Sequence, residues 1–252
     1  MDDQRPALHL DHVSAGYPSA RPVVEGVDLV VRPGEVVALV GPSGAGKTTL
    51  LRTAAGLLRP YAGTVTVLGR RWPERAPRGT IGYIPQRLGL VHHATTLENV
   101  AMGGLHREPA YRNLLRLPTS RLITEAEAAL DAVGLLDKAD APVKELSGGQ
   151  QRRTAIARAL LQRPRLLLAD EFLGELDRQT AETVQAAVLH LAETHGTAIL
   201  LVEHHLTKAH TMADRVHEVD GGRLRDITDP ARVDLEIHDD ALLERRPDLE
   251  VA

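Results

Sequence analysis

The 252 residues contain no cysteine, which excludes disulfides, thiolate metal sites and cysteine nucleophiles. Aromatic residues are scarce, with one Trp, four Tyr and one Phe, so the core has to be built from Leu, Val, Ala and Ile. The same scarcity speaks against the base-stacking platforms that bind single-stranded nucleic acid. No apolar run approaches the roughly 18 to 20 residues that cross a bilayer, so the chain is not expected to span a membrane. The first six residues, Met-Asp-Asp-Gln-Arg-Pro, lack the basic and then apolar run of a secretory signal, which predicts a cytoplasmic location. Nor is there an excess of positive charge: 30 Lys+Arg against 34 Asp+Glu give a formal net charge of −4, and a polybasic nucleic-acid coat is excluded. Acidity gathers in residues 226–252, which are expected to be a solvated acidic extension following a single domain over residues 1–225.

What is present is an alternation of short apolar runs and helical patterns, which predicts an α/β fold with a mainly parallel sheet. Val36–Val40, Leu166–Ala169 and Ala198–Val202 read as buried strands, each running into glycine or polar residues. Ligands of open α/β sheets sit beyond such carboxyl ends, so the chemistry is expected there. Residues 7–13, 27–31 and 63–68 alternate like strands of a flanking antiparallel β-layer. From about 101 to 141 the strand signal gives way to a helical insert, with Ala126, Ala129, Leu130 and Val133 on one face. Thr124 and Glu127 have capping-box spacing, and Gly134 stands where that helix would stop.

Gly41-Pro42-Ser43-Gly44-Ala45-Gly46-Lys47-Thr48 fits G-x-x-x-x-G-K-[ST], between a strand and a helix expected from Thr48 to Leu58. Glycines let the backbone N–H groups approach a phosphate chain closely, and the helix directs its positive end at the anion. Lys47 would reach the β- and γ-phosphates, Thr48 would ligate Mg2+, and Thr49, in the first helical turn, would join them in binding the nucleotide. The expected fold is therefore a P-loop NTPase core. Asp170-Glu171 closes a strand, where one carboxylate can hold the Mg2+ shell and the other can orient water. Twelve histidines show no metal-ligand spacing.

Leu146-Ser147-Gly148-Gly149-Gln150-Gln151, taken with these motifs, resembles the nucleotide-binding subunit of the ATP-binding cassette (ABC) transporter family over residues 7–225. The resemblance implies that Ser147, Gly148, Gly149 and Gln150 face ATP held by a second subunit, a copy or a paralogue, so that two chains sandwich two nucleotides. It implies further that Tyr17 stacks on adenine, Gln86 touches Mg2+ and the attacking water, Asp170 serves the metal and Glu171 is the catalytic carboxylate. By the same resemblance His204 contacts the γ-phosphate, with His205 a rival one position on. Strand alternation would send the two imidazoles to opposite faces. Asp177 matches the loop that communicates between subunits.

The stretch Phe172 to Glu175 departs from the family pattern, which has Pro at the first of these positions, a small hydroxyl residue at Gly174 and Ala at Glu175. The glutamate adds charge near the dimer seam. The segments Leu97–Val100 and Val133–Lys138 are similar to bacterial importers of the phosphonate type. The expected function is ATP hydrolysis powering a membrane transporter, peripheral on the inner face of the cell membrane, with permease subunits docking near Leu88–Val91. Neither nucleic acid nor the cargo itself is expected to bind. The alternatives are a soluble cassette ATPase of an assembly complex, such as one building iron–sulfur clusters, and a nucleotide-dependent binding module with little turnover. Between Thr48 and Ser147 there is no room for the long coiled coil of DNA-repair cassettes.

Overall fold

The computed structural model describes residues 5–18, 21–109, 118–174 and 176–229. Four strands, β1 (Leu8–Ala15), β2 (Val24–Val31), β4 (Pro60–Val67) and β5 (Arg70–Arg71), form an antiparallel sheet in the order β2-β1-β4-β5. Six more, β3 (Val36–Val40), β6 (Ile81–Ile84), β7 (Leu166–Asp170), β8 (Ala198–Val202), β9 (Arg215–Asp220) and β10 (Arg223–Asp226), form a second sheet in the order β10-β9-β3-β8-β7-β6. Only the β9–β10 hairpin in it is antiparallel.

Strands β3, β7 and β8 are buried on both faces, which is why they read as unbroken apolar runs. Their side chains divide by alternation between two cores. Val37, Leu39, Leu166, Leu168 and Leu200 join Leu50, Leu51 and Ala54 of helix α1 (Lys47–Ala54) and the antiparallel sheet. Ala38, Val40, Leu167, Ala169 and Leu201 face the helices on the other side, where Phe172, Ile156, Leu130 and Val184 fill the space. Helix α1 stops before the expected Leu58: Gly56 takes φ +70°, and the N–H groups of Leu57 and Leu58 both return to the Arg52 carbonyl.

The helical insert begins at α2 (Thr96–Ala101), closed by a capping box of Thr95 and Glu98. It continues through a 3-10 turn, Met102–Arg107, to α3 (Ser120–Asp131). The capping box expected at Thr124 and Glu127 is not the start of α3. The helix begins earlier, where the Thr119 hydroxyl accepts from the Leu122 N–H, because the buried stripe reaches back to Leu122 and carries Thr124 into the interior of the helix. Gly134 ends this region at φ +60°. Helix α4 (Gly148–Gln162) opens with Ser147 as its cap and packs on α2 and α3. Helix α5 (Arg178–His195) buries Val184, Val188 and Leu191, and the short α6 (Leu206–Met212) leads back to β9. Beyond β10, Ile227 is buried and Thr228 bonds Val216, so the packed chain extends past residue 225. Most of the acidic extension, from residue 230, lies outside the described residues, as does Glu175. No helix among the described residues is long and apolar enough to cross a membrane.

Candidate functional site

The glycine loop after β3 owes its shape to positions that no other residue could hold. Gly41 takes φ +137°, and a Cβ there would meet the Val219 carbonyl oxygen at 2.2 Å. Gly46 takes φ +111°, where a Cβ would lie 2.5 Å from a Val24 methyl group. Pro42, Ser43 and Gly44 stay exposed, Ala45 is half-buried, and Lys47 and Thr49 are buried at the start of α1. The Lys47 ammonium donates to the carbonyls of Gly41 at 2.6 Å and Pro42 at 2.9 Å. Burial pushes its pKa down, against the pull of Glu171 and Asp170.

Asp170, at the tip of β7, is 1% exposed, and neither of its carboxylate oxygens has a hydrogen-bond partner among the described residues. Burial raises its pKa, and the Thr48 hydroxyl pulls the other way. A buried carboxylate with two orphaned oxygens beside a threonine hydroxyl is the all-oxygen donor set that a hard divalent cation takes, so these residues fit Mg2+.

Glu171, one residue on, is forced into left-handed backbone at φ +51°. His204 Nε2 lies 2.6 Å from its Oε1, and Gln86 donates through Nε2 to Oε2 at 3.4 Å. The ends of β6, β7 and β8 thus bring Gln86, Glu171 and His204 together. The strand-alternation argument for choosing between the histidines does not apply, because β8 ends at Val202 and both lie beyond it. His205 takes the exposed cap position of α6, while His204 reaches Glu171.

Other expected site residues stand elsewhere. Tyr17 is 40% exposed; its hydroxyl accepts from Arg52 at 2.8 Å, and its carbonyl accepts from the Tyr61 hydroxyl at 2.6 Å. Ser147 and Gln150 bond each other at the head of α4, where Ser147 and Gly148 are exposed and Gly149 is half-buried. Asp177 caps α5 through the Thr180 N–H, and the Thr180 hydroxyl together with this N–H holds its pKa below the usual carboxylate value. Phe172, in place of the family's proline, is a fully buried member of the helical core.

Two features carried no signal in the sequence. Arg152 is buried against the Glu171 carbonyl, and Arg158 donates to the carbonyls of Leu88 and Gly89 just after Gln86. The exposed group Asp11, His12 and Asp28 could hold a metal ion; it forms across the β1–β2 pair, so its members are not spaced as ligands along the chain.

A family model described as ABC transporter matches residues 24–174. The chain is similar to the phosphonates import ATP-binding protein PhnC of Treponema denticola, 38% identical over 86% of this chain and 87% of that one. It is also similar to the lipoprotein-releasing system ATP-binding protein LolD 1 of Rhodopirellula baltica, 40% identical over 86% of this chain and 96% of that one. Among solved structures, a dimeric ATP-binding cassette in a post-hydrolysis state bound to ADP and Pi aligns with a TM-score of 0.78 at 28% identity, over 87% of this chain and 97% of that one.

Proposed function

We propose, from the premise that this chain belongs to the ABC transporter family, that it is the subunit whose ATP-driven dimer closure powers a membrane importer. The chain is an ATP-binding cassette and an ATPase. The observation that carries the mechanistic part is the convergence of Gln86, Glu171 and His204 at one sheet edge with the Lys47 loop.

In this reading the backbone N–H groups of residues 43–48 wrap the phosphates, and Lys47 exchanges its two loop carbonyls for β- and γ-phosphate oxygens. Asp170, Thr48 and Gln86 would hold Mg2+, which supplies positive charge beside the phosphates when bound. The Glu171 carboxylate accepts a proton from water aimed in line at the γ-phosphorus, while His204 keeps that carboxylate oriented through Oε1. Tyr17 offers its exposed ring to adenine. Ser147, Gly148 and Gly149, exposed or half-exposed at a helix start, suit the nucleotide of a second subunit, and Asp177 lies on the loop between the two sites. Such donors act on charge as it develops, where most phosphoryl-transfer catalysis originates.

Import is supported by the likeness to a phosphonate import protein. A permease dock is supported by Leu88 and Leu90, half-buried, and the exposed Val91. Glu171→Gln is expected to abolish turnover nearly completely while ATP is retained; undiminished hydrolysis by this variant removes Glu171 from the role. Co-purification with an integral membrane protein should be lost on combining Leu88→Asp with Leu90→Asp.

A further inference from the structure

Helix α4 reaches loops on every side of the helical core with side chains that donate to backbone carbonyls. Gln151 bonds Val143 and Leu146, Arg153 bonds Val133 and Gly134, Arg158 bonds Leu88 and Gly89, and Gln162 bonds Gly79 and Ile81. One of these donors reaches the reacting group. Arg152, 6% exposed, donates through a terminal guanidinium nitrogen to the Glu171 carbonyl. That carbonyl also accepts from the Gly174 N–H at 3.2 Å, and the Glu171 N–H is held by the Val202 carbonyl at 3.3 Å. A Cβ on Gly174 would lie 3.7 Å from the guanidinium carbon, so the loop after Glu171 lies directly against Arg152.

The peptide groups on both sides of Glu171 are therefore pinned, one by β8 and one by α4. This matters because at φ +51° the residue sits where a side chain other than glycine is poorly tolerated, and such a conformation persists only when its surroundings over-determine it. With the N–H held by Val202, rotation about φ would swing the carbonyl and the Cα–Cβ bond together, and the carboxylate would leave its place 2.6 Å from His204. Ser147, the cap of the same helix, lies little more than one turn away.

We propose that Arg152 is a positioning residue for catalysis. Its guanidinium fixes the left-handed backbone that aims the Glu171 carboxylate, and it ties that aim to the position of the Ser147 end of α4. The inference rests on the ATPase reading above. It adds to it a route, inside one subunit, from the surface that meets the partner's nucleotide to the carboxylate that serves its own.

The test measures steady-state ATP hydrolysis and thermal melting for the whole chain and four variants. Arg152→Met keeps the length and removes the donors, Arg152→Gln shortens the donor, Arg152→Lys keeps a cation, and Arg153→Gln removes a comparable pair of carbonyl bonds from the next residue. Arg152→Met is expected to lower kcat by about tenfold to a hundredfold, the range that a misplacement of about 1 Å costs. KM for ATP should stay within about twofold, and the Hill coefficient for ATP should fall toward one. Arg152→Lys should recover most of kcat, and Arg153→Gln should keep it. A folded Arg152→Met chain with undiminished kcat overturns the proposal, as does an equal loss in Arg153→Gln. If Arg152→Met does not fold, Arg152→Gln is read in the same way, and failure of both to fold also overturns it, because the guanidinium then serves the fold. Absence of hydrolysis by the unmodified chain refutes the ATPase reading instead, so the two failures are distinct.

Discussion

Asp170→Asn should make the protein more stable and inactive at once. In the fold the carboxylate is 1% exposed with both oxygens unbonded, an arrangement that costs about 1–3 kcal/mol for a polar group and more for a charge. The Thr48 hydroxyl and the charges of Arg52 and Lys47 recover part of that cost, with Glu171 opposing them, which leaves a net penalty for the charge of about 1–2 kcal/mol. An uncharged amide of the same shape keeps the polar cost but removes this charge penalty, and at about 2–4 °C per kcal/mol for a chain of this size the melting temperature should rise by about 2–8 °C at pH 7.5. The difference should also depend on pH. Burial raises the Asp170 pKa above its ordinary 3.8, so the penalty is full above the raised value and absent below 3.8. Calorimetric scans from pH 7.5 to pH 4 should therefore show the melting curves of wild type and variant converging as the pH falls. Added Mg2+ with ATP should stabilise the wild type far more than the variant. A variant that melts below the wild type at pH 7.5 without nucleotide would refute the reasoning, because the charge would then have to be satisfied by the fold itself.

Gly41→Ala places a Cβ against the Val219 carbonyl, so melting should fall by several degrees and calorimetry should show ATP affinity reduced at least about tenfold. Thr119→Ala removes the cap of α3, which should cost about 1 kcal/mol in denaturant unfolding and leave ATP hydrolysis unchanged. His217, buried beside Arg215, is held below its ordinary pKa of 6.5 by burial and, secondarily, by that guanidinium, with Asp226 and Glu35 opposing. Stability should accordingly drain away as the pH falls below 6.5, by at most about 1.4 kcal/mol per pH unit, and His217→Gln should flatten that slope in a melting series.

The phosphate loop and the acidic tip of β7 were legible because their parts are adjacent in sequence and their types are dictated by chemistry: glycine where a Cβ collides, a carboxylate where an apolar strand ends. The three buried strands were legible for a similar reason, since a strand covered on both faces has no polar positions to blur it. Other features depend on distance along the chain. Thr124 and Glu127 have the right spacing for a cap, but the cap belongs to Thr119, and only the burial of Leu122 decides between them. Two adjacent histidines cannot be ranked by strand parity once the strand has already ended at Val202. Arg152 and Arg158 look like solvated helix residues until the chain folds and loops from elsewhere present their carbonyls. Asp11, His12 and Asp28 assemble only through the register of β1 on β2.

The ammonium of Lys47 has a further consequence, because it is held by two oxygens of its own turn. Any anion that claims it must outbid a ready-made pair of acceptors. Chloride or a lone inorganic phosphate brings few simultaneous contacts to that contest, whereas a chain of linked phosphates brings many. On the ATPase reading proposed above, the turn would therefore favour a chain of linked phosphates over a single small anion.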